Sequence, residues 1–256
     1  MESWPPSSYQ ELVPPPALAR YVACLWVHRI GDGAEAYVQP VFPDGCIDVV
    51  AMGDDVMLAG PATRSTTLRL APDTLTVGVR FRTGAAPPLA GVSAVEMRDQ
   101  DVPLEGLWGG TGAEISARVA ESSDWKARLG VMVDGLVGRL SGAHTLDPLG
   151  IGIAPMLAER PERPVALLAS DVGLSERQLR RRVEDAVGYS PRMLTRILRF
   201  QRFLHAARAS GPGRHLARLA AEAGYADQAH LTRESRQLGG LPPAALLNWE
   251  AQRLAG

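Results

Sequence analysis

The sequence predicts an α+β fold in two parts. The first is a small β-barrel-like or sandwich-like domain with trailing helices, and the second is an all-helical domain with tandem helix-turn-helix units. Short β-type runs fill residues 21–82, helical periodicity replaces them after Gly84, and a near-repeat occupies the last hundred residues. We therefore predict one domain over residues 1–143 and a second over residues 144–256.

The overall composition is that of an ordinary globular protein, because 46% of the 256 residues are hydrophobic and 21% are charged. No apolar run approaches the roughly 18 residues of a membrane helix, and the first residues do not resemble a signal peptide. Cys24 and Cys46 are the only cysteines. We expect neither a disulfide framework nor a cysteine zinc site, and we expect a cytoplasmic protein.

The net charge of −1 conceals a division between the two halves. Residues 156–256 carry 16 Arg, no Lys and 10 acidic side chains, a net charge of +6, whereas the remaining residues carry −7. A basic half beside an acidic half favours contact of one half with a polyanion. Two domains of unlike composition would give the same division.

The β-type runs of the first half are short, apolar and separated by turn signals such as Pro43-Asp44-Gly45. Residues 1–16 are Pro-rich and are expected to be irregular. Many short strands at close spacing are typical of a small barrel or sandwich. The predicted strands are Tyr21–His28, Tyr37–Phe42, Cys46–Met52, Val56–Ala59, Thr66–Leu70 and Thr74–Phe81.

Helices are expected after a loop at Gly106–Gly110. Thr111–Ala120 and Trp125–Leu140 both have helical periodicity. The second of these helices suits a homodimer interface and the core of its own domain equally well. The segment Ser141–Pro148 interrupts the periodicity and marks the predicted domain boundary.

A near-repeat is the most informative feature of the second half. The segment LASDVGL, which begins at Leu168, recurs as LAAEAGY from Leu219. Each copy continues through a polar helix to a Gly-x-x-Pro sequence, at Gly188 and at Gly240. Two copies of a helix, a glycine turn and a polar second helix indicate tandem helix-turn-helix units, which would allow one chain to read DNA without a dimer.

In the first unit, Gly173 lies at the tight turn and Ser175 is the expected N-cap of the next helix, with Gln178 completing a capping box. An apolar back and a guanidinium-rich face suit the major groove, because Arg bonds guanine edges or neutralises phosphates. Such a face is often merely solvated, but the turn, the cap and the second copy favour DNA. The predicted DNA-binding residues here are Ser175, Arg177, Gln178, Arg180 and Arg181.

The second unit repeats this arrangement with fewer charges, and Asp227 is its expected N-cap. His230 suits either the DNA groove or packing against a neighbouring helix. A linker helix from Pro191 to about Ala209 would span roughly 27 Å, close to the roughly 34 Å between successive major grooves. The predicted DNA-binding residues of this unit are Gln228, His230, Thr232 and Arg233.

These residues resemble the AraC/XylS family of bacterial transcriptional regulators. The resemblance covers about Leu149–Leu247 and rests on the motifs Ala169–Val183, Gly188–Pro191 and Leu219–Glu234. It implies seven helices, two units joined by a linker helix, and sequence-specific promoter binding. By matching positions it assigns base-edge contacts to Arg177, Arg180, Arg181, Gln228, His230, Thr232 and Arg233.

The chain departs from the family pattern in the second unit. The family carries a Phe near the middle and another near the end of the second recognition helix, where this chain has Ser235 and Gly239. Losing buried aromatic rings is destabilising unless other side chains fill the space, and Trp249 is one candidate. Otherwise we expect a loosely packed second unit that contributes mainly phosphate contacts, with specificity residing in the first unit.

The first half resembles an uncharacterised domain that precedes such regulators. The shared segments include Phe42–Asp48, Gly60-Pro61 and Val77–Phe81. Its position in the chain suggests a sensor or dimerisation domain. The candidate ligand-binding residues, which are polar groups in or beside predicted strands, are His28, Gln39, Asp48 and Arg80.

The sequence thus favours a non-enzymatic, effector-controlled transcriptional regulator without cofactor or metal, because the five histidines lack a metal-binding spacing. The expected partners are double-stranded promoter DNA and a small-molecule effector, with RNA polymerase contact and homodimerisation left open. One alternative is a first domain that docks a protein partner. Another is a DNA-linked repair enzyme, which needs an activated cysteine that the neighbours of Cys46 do not provide.

Overall fold

The computed structural model describes residues 7–31, 37–142, 145–161, 163–210 and 215–248. The α+β class is confirmed, with a β-rich first half and a helical second half that contains the helix-turn-helix units. In the described part of the chain, no helix is long and apolar enough to cross a membrane.

Strands dominate the first half, and they form two open sheets rather than a closed barrel. The larger sheet has the order β1-β2-β7-β4-β5-β8, and β3 pairs with β6. All of the pairings are antiparallel. The strands are β1 Ser7–Leu12, β2 Val22–Ile30, β3 Tyr37–Val41, β4 Asp48–Met52, β5 Asp55–Ala59, β6 Thr66–Leu70, β7 Leu75–Phe81 and β8 Asp101–Pro103.

Two segments of the first half differ from the sequence prediction. The Pro-rich beginning contains β1, which pairs along its whole length with β2. The expected loop at residues 106–110 is largely helical, because it lies in α2 (Leu104–Trp108) and at the start of α3 (Gly110–Ala120). Leu104 and Trp108 are buried in the core, and this burial outweighs the weak helix propensity of the surrounding glycines.

The first half has its own hydrophobic core, which is completed by two further helices, α1 (Pro87–Ala90) and α4 (Trp125–Arg139). Leu129, Met132 and Leu136 of α4 are buried in this core. This face of α4 therefore packs within its own half and is not available as a dimer interface.

The second half is built from helices around a second hydrophobic core. Within the described residues, six helices and a further helical segment over residues 243–248 make seven, the number implied by the family resemblance. The helices are α5 Pro148–Glu159, α6 Val165–Asp171, α7 Glu176–Val187, α8 Pro191–Ser210, α9 Leu216–Ala223 and α10 Gln228–Gly239.

The helix caps predicted from the sequence are present. Ser175 and Gln178 exchange the two hydrogen bonds of a capping box at the start of α7. Asp227 caps α10 by accepting a 2.6 Å hydrogen bond from a backbone amide. Gly188 and Gly240 end α7 and α10 in the left-handed conformation, with φ of 78° and 70°, which glycine adopts without steric cost.

Another side chain fills the space beside Gly239 in the second unit, so the condition under which loose packing was expected is not met there. A Cβ on Gly239 would lie 2.8 Å from Cζ of Phe200, and Phe200 and Phe203 of α8 are fully buried. Ser235 is also buried. Phe200 of α8 thus fills the space beside Gly239, while Trp249 lies outside the described residues.

The two halves are packed against each other through the Phe42–Gly45 loop. The ring of Phe42 is part of the second core and meets the ring of Phe200 edge to face. The side-chain amide of Gln201 donates a 2.6 Å hydrogen bond to the carbonyl of Pro43. The Phe-Pro-Asp-Gly motif of the first half therefore docks on α8, the helix that joins the two helix-turn-helix units.

Candidate nucleic-acid interface and effector cavity

The first recognition helix, α7, has a buried back and an exposed basic face. Leu179 and Val183 are buried, while Arg177, Arg180 and Arg181 are exposed. No acidic side chain among the described residues pairs with these three arginines in an ion pair. Their guanidinium groups are therefore available to the base edges or phosphates of a duplex.

Arg182, on the flank of the same helix, has a different role. It forms a bidentate ion pair with Asp147, whose carboxylate also accepts a 3.0 Å hydrogen bond from the amide of Leu149 at the start of α5. Arg182 thus fixes α7 against α5. Ser175 and Gln178, two of the predicted DNA-contact residues, form the capping box at the start of α7.

The second recognition helix, α10, presents fewer free side chains. Gln228 and Arg233 are exposed, whereas Thr232 is half-buried and its hydroxyl donates to the carbonyl of Gln228 at 2.8 Å. The ring of His230 packs edge to face on Tyr225, with 5.2 Å between ring centroids. This contact is made with the turn between α9 and α10, and the assignment of His230 to the DNA groove stays a prediction.

A basic cleft of about 670 Å³ lies between the two units, and α8 lines one side of it. Arg192, Arg196 and Arg199 of α8 all contribute to its walls. Arg196 is tied to α10, because its Nε lies 2.7 Å from Oε1 of Glu234. The cleft thus places a positively charged face of α8 beside the recognition helix α10, with one of its arginines held by an ion pair.

Two of the four candidate ligand residues form a partly buried ion pair. Arg80 on β7 donates hydrogen bonds to both carboxylate oxygens of Asp48 on β4, at 3.0 and 2.9 Å. Oδ2 of Asp44 lies 3.4 Å from Nη2 of Arg80. Burial raises the pKa of Asp48, and the neighbouring Arg80 opposes this. Burial lowers the pKa of Arg80, but the charge and hydrogen bonds of Asp48 prevail and raise it above its usual value. Asp48 therefore holds Arg80 in place and in its charged form.

A cavity of about 230 Å³ lies beside this ion pair, where the first half meets α8. Gln39 and Arg80 line it from the first half, and Gln201 and Arg208 line it from α8. The side-chain oxygen of Gln39 is buried and has no hydrogen-bond partner among the described residues. His28 does not line the cavity, and its Nε2 lies 3.1 Å from a serine hydroxyl of β1.

The two cysteines have raised rather than lowered pKa values. Burial raises the pKa of Cys24 to about 11 and that of Cys46 well above its usual value. Both thiols are therefore protonated at neutral pH, unlike an activated nucleophile. In the described part of the chain, no three His, Cys, Asp or Glu side chains are grouped so that they could hold a metal ion.

Comparison with known families agrees with this arrangement. Residues 168–248 match a family described as "Helix-turn-helix domain". The chain carries an AraC-type helix-turn-helix domain. Ahead of the AraC-type domain, residues 10–103 match a family described as "Domain of unknown function (DUF6597)".

The chain is also similar to two crystal structures of ToxT from Vibrio cholerae strain SCE256. One is the apo form of a point variant, with 12% identity, coverage of 94% of this chain and 96% of that chain, and a TM-score of 0.43. The other is wild-type ToxT bound to an unsaturated fatty acid, with 11% identity, coverage of 94% of both chains and a TM-score of 0.43. No match was found among curated proteins.

Sequence analysis missed the cavity residues that the AraC-type domain contributes. Gln201 and Arg208 are seven positions apart on α8 and therefore share one helical face. That spacing was visible in the sequence, but the β-rich half that faces them lies more than a hundred positions earlier in the chain. No local pattern connects the two segments.

Proposed function

We propose that this protein is a sequence-specific transcriptional regulator with a sensor domain over residues 1–143 and a DNA-binding domain over residues 144–256. The observation that carries the proposal is the pair of capped recognition helices, α7 and α10, joined by α8. Each has a buried apolar back and an exposed polar face. Such helices enter successive major grooves when a rigid element holds them one helical turn apart.

The first unit is proposed to supply most of the base recognition. The first unit exposes Arg177, Arg180 and Arg181, each of which can donate two hydrogen bonds to one base. The exposed candidate contact residues of the second unit are Gln228 and Arg233. Because Arg recognises guanine through two hydrogen bonds, we expect guanines in the half-site of α7. The basic cleft beside α8 is expected to attract the phosphates between the half-sites.

Duplexes selected by the full chain from a random-sequence pool provide the test. Replacing Arg181 with Ala should weaken binding to the selected duplex by about 1–3 kcal/mol, because one base or phosphate contact is lost. Arg118→Ala is the matched control, since Arg118 is an exposed arginine on α3 in the other half. Equal affinity of the Arg181→Ala and Arg118→Ala variants would count against the assigned DNA-binding face.

We further propose that the effector is a small polar molecule that donates hydrogen bonds. The cavity of about 230 Å³ is smaller than the roughly 300–1,000 Å³ of sites for drug-sized ligands. Gln39 is one of its lining residues, and the buried side-chain oxygen of Gln39 lacks a donor among the described residues. A ligand there would touch Gln201 and Arg208 on α8. Its binding would therefore favour one position of α8, the helix that joins the two helix-turn-helix units.

A thermal-shift screen of small hydroxylated and amine-bearing metabolites tests the effector proposal. A bound molecule raises the melting temperature by mass action. Gln39→Leu should abolish that shift, whereas Gln10→Leu should retain it, because Gln10 is an exposed glutamine on strand β1 that does not line the cavity. A shift that survives in Gln39→Leu would place the ligand elsewhere. A screen without any shift would favour a first domain that docks a protein partner.

A further inference from the structure

One loop of the first half touches the same position in both helix-turn-helix units. This loop, residues 60–65, connects β5 to β6. Pro61 lies so close to Gly188 that a Cβ on this glycine would come within 2.4 Å of Cγ of Pro61. At the other end of the loop, Oγ of Ser65 lies 3.1 Å from the place of a Cβ on Gly240. Gly188 and Gly240 are the equivalent glycines that end α7 and α10, so a single loop contacts both repeats at corresponding points.

Backbone amides of the first half also cap the ends of both recognition helices. The amide of Ser65 donates a 2.8 Å hydrogen bond to the carbonyl of Leu238 in the last turn of α10. The amide of Ala94, in the segment 93–99, donates a 2.9 Å hydrogen bond to the carbonyl of Asp185 in the last turn of α7. Carbonyls in the last turn of a helix have no intrahelical donor. The first half therefore supplies one backbone donor to the last turn of α7 and one to the last turn of α10.

Two side-chain contacts strengthen the attachment to the first unit. The hydroxyl of Tyr189 donates a 2.7 Å hydrogen bond to the carbonyl of Ala62, and Nη1 of Arg98 donates a 3.2 Å hydrogen bond to the carbonyl of Gly188. Tyr189 is 1% exposed. Its hydroxyl thus has a fixed partner on the loop 60–65 and little access to water.

The loop 60–65 and the segment 93–99 are locked to each other. The carboxylate of Asp99 accepts hydrogen bonds from the amide and the hydroxyl of Thr63, at 2.7 and 2.8 Å. The amide of Asp99 donates to the carbonyl of Pro61 at 3.1 Å. Asp99 has φ of 58°, a conformation that is unfavourable for residues other than glycine and persists where the surroundings enforce it. Asp99 is therefore a positioning residue for the loop that contacts both units.

We propose that residues 60–65 and 93–99 form a brace that fixes α7 and α10 relative to each other, and thereby sets the spacing between half-sites that the protein accepts. The inference rests on the proposed DNA binding. Its physical basis is that the brace contacts the C-terminal ends of both recognition helices. It therefore connects α7 and α10 a second time, independently of the linker helix α8. With the brace loosened, each unit would still enter its own groove but would tolerate a changed distance to the other.

Two variants loosen the brace, and each has a matched control. Asp99→Gly removes the carboxylate and keeps the left-handed backbone, and Asp73→Gly is its control, because Asp73 has the same φ of 58° and forms an exposed ion pair outside the brace. Tyr189→Phe removes the hydroxyl that binds Ala62. Tyr225→Phe is its control, because the buried hydroxyl of Tyr225 has no hydrogen-bond partner among the described residues.

The measurement uses the full chain and the duplex that the wild-type chain selects, together with the same duplex carrying one or two base pairs inserted between the half-sites. The ratio of Kd for the altered and selected duplexes reports the spacing preference. In Asp99→Gly and in Tyr189→Phe this ratio should fall by about fivefold, the lower end of ordinary coupling between two sites. Both controls should keep the wild-type ratio, and binding to a single half-site should be unchanged in every variant.

Unchanged spacing preference in folded Tyr189→Phe and Asp99→Gly would overturn the brace and leave the proposed function intact. If Asp99→Gly fails to fold, Tyr189→Phe decides alone, because it removes a single oxygen. Failure of the wild-type chain to select any duplex would instead remove the proposed function, and the brace with it.

Discussion

The ring of Phe42 stands edge to face on the ring of Phe200, with 5.8 Å between their centroids. Phe42 follows strand β3 in the β-rich half, and Phe200 lies on the linker helix of the DNA-binding half. Such a pair contributes about 0.5–1.5 kcal/mol beyond the burial of its surface. The β-rich half therefore supplies part of the core on which both helix-turn-helix units are built.

Replacing Phe42 with Ala should lower the free energy of unfolding by about 3–5 kcal/mol, because it leaves a cavity against Phe200. Urea denaturation followed by circular dichroism measures this change. Val38→Ala is the control, since the side chain of Val38 is 45% exposed and should cost less than about 0.5 kcal/mol. Similar losses in the two variants would contradict a shared core.

Replacing Gly239 with Ala should destabilise the second unit, although Ala normally favours a helix. The new Cβ would lie 2.8 Å from Cζ of Phe200, and such overpacking costs about 1–3 kcal/mol. Gly138→Ala is the matched control, because Gly138 is also helical and has no atom within 4 Å of an added Cβ. That variant should gain up to about 1 kcal/mol. Stabilisation by both substitutions would mean that Phe200 does not fill the space of the missing aromatic ring.

Alkylation of Cys24 should become fast only at high pH. Burial raises its pKa from 9.0 to about 11, and a raised thiol pKa means that the protonated thiol stabilises the folded state. This contribution is complete below pH 9 and is lost as the pH rises towards 11. Iodoacetamide labelling of the Cys46→Ser variant, followed by mass spectrometry, should have its midpoint near pH 11, and near pH 9 after denaturation. A midpoint below pH 9 in the folded protein would contradict the burial of the Cys24 thiol.

Much of the second half could be predicted because its signals are local. Ser175 and Gln178 form the predicted capping box, Asp227 is the predicted cap, and the glycine that ends each recognition helix has a positive φ. Each of these features depends on residues within four positions of one another. Strands β2 to β7 of the first half were also located, because apolar runs and turn residues alternate along the same short distances.

The features that could not be predicted depend on contacts between distant segments. Strand β1 contains Tyr9, Gln10 and Glu11, which are all exposed, so no apolar run marked it, and only its pairing with β2 reveals it. The contribution of Phe200 beside Gly239 and the hydrogen bond of Tyr189 to Ala62 join segments far apart in the chain. Such contacts follow from tertiary packing and leave no periodic pattern in a single sequence.

Hydroxyl-radical footprinting of the wild-type chain on its selected duplex tests most directly whether two linked units read DNA together. The account predicts two protected patches on one face of the duplex, separated by one helical turn of about 10 base pairs. In the Arg181→Ala variant the patch of the first unit should fade before the other. A single protected patch, or uniform protection without a repeat, would contradict the account.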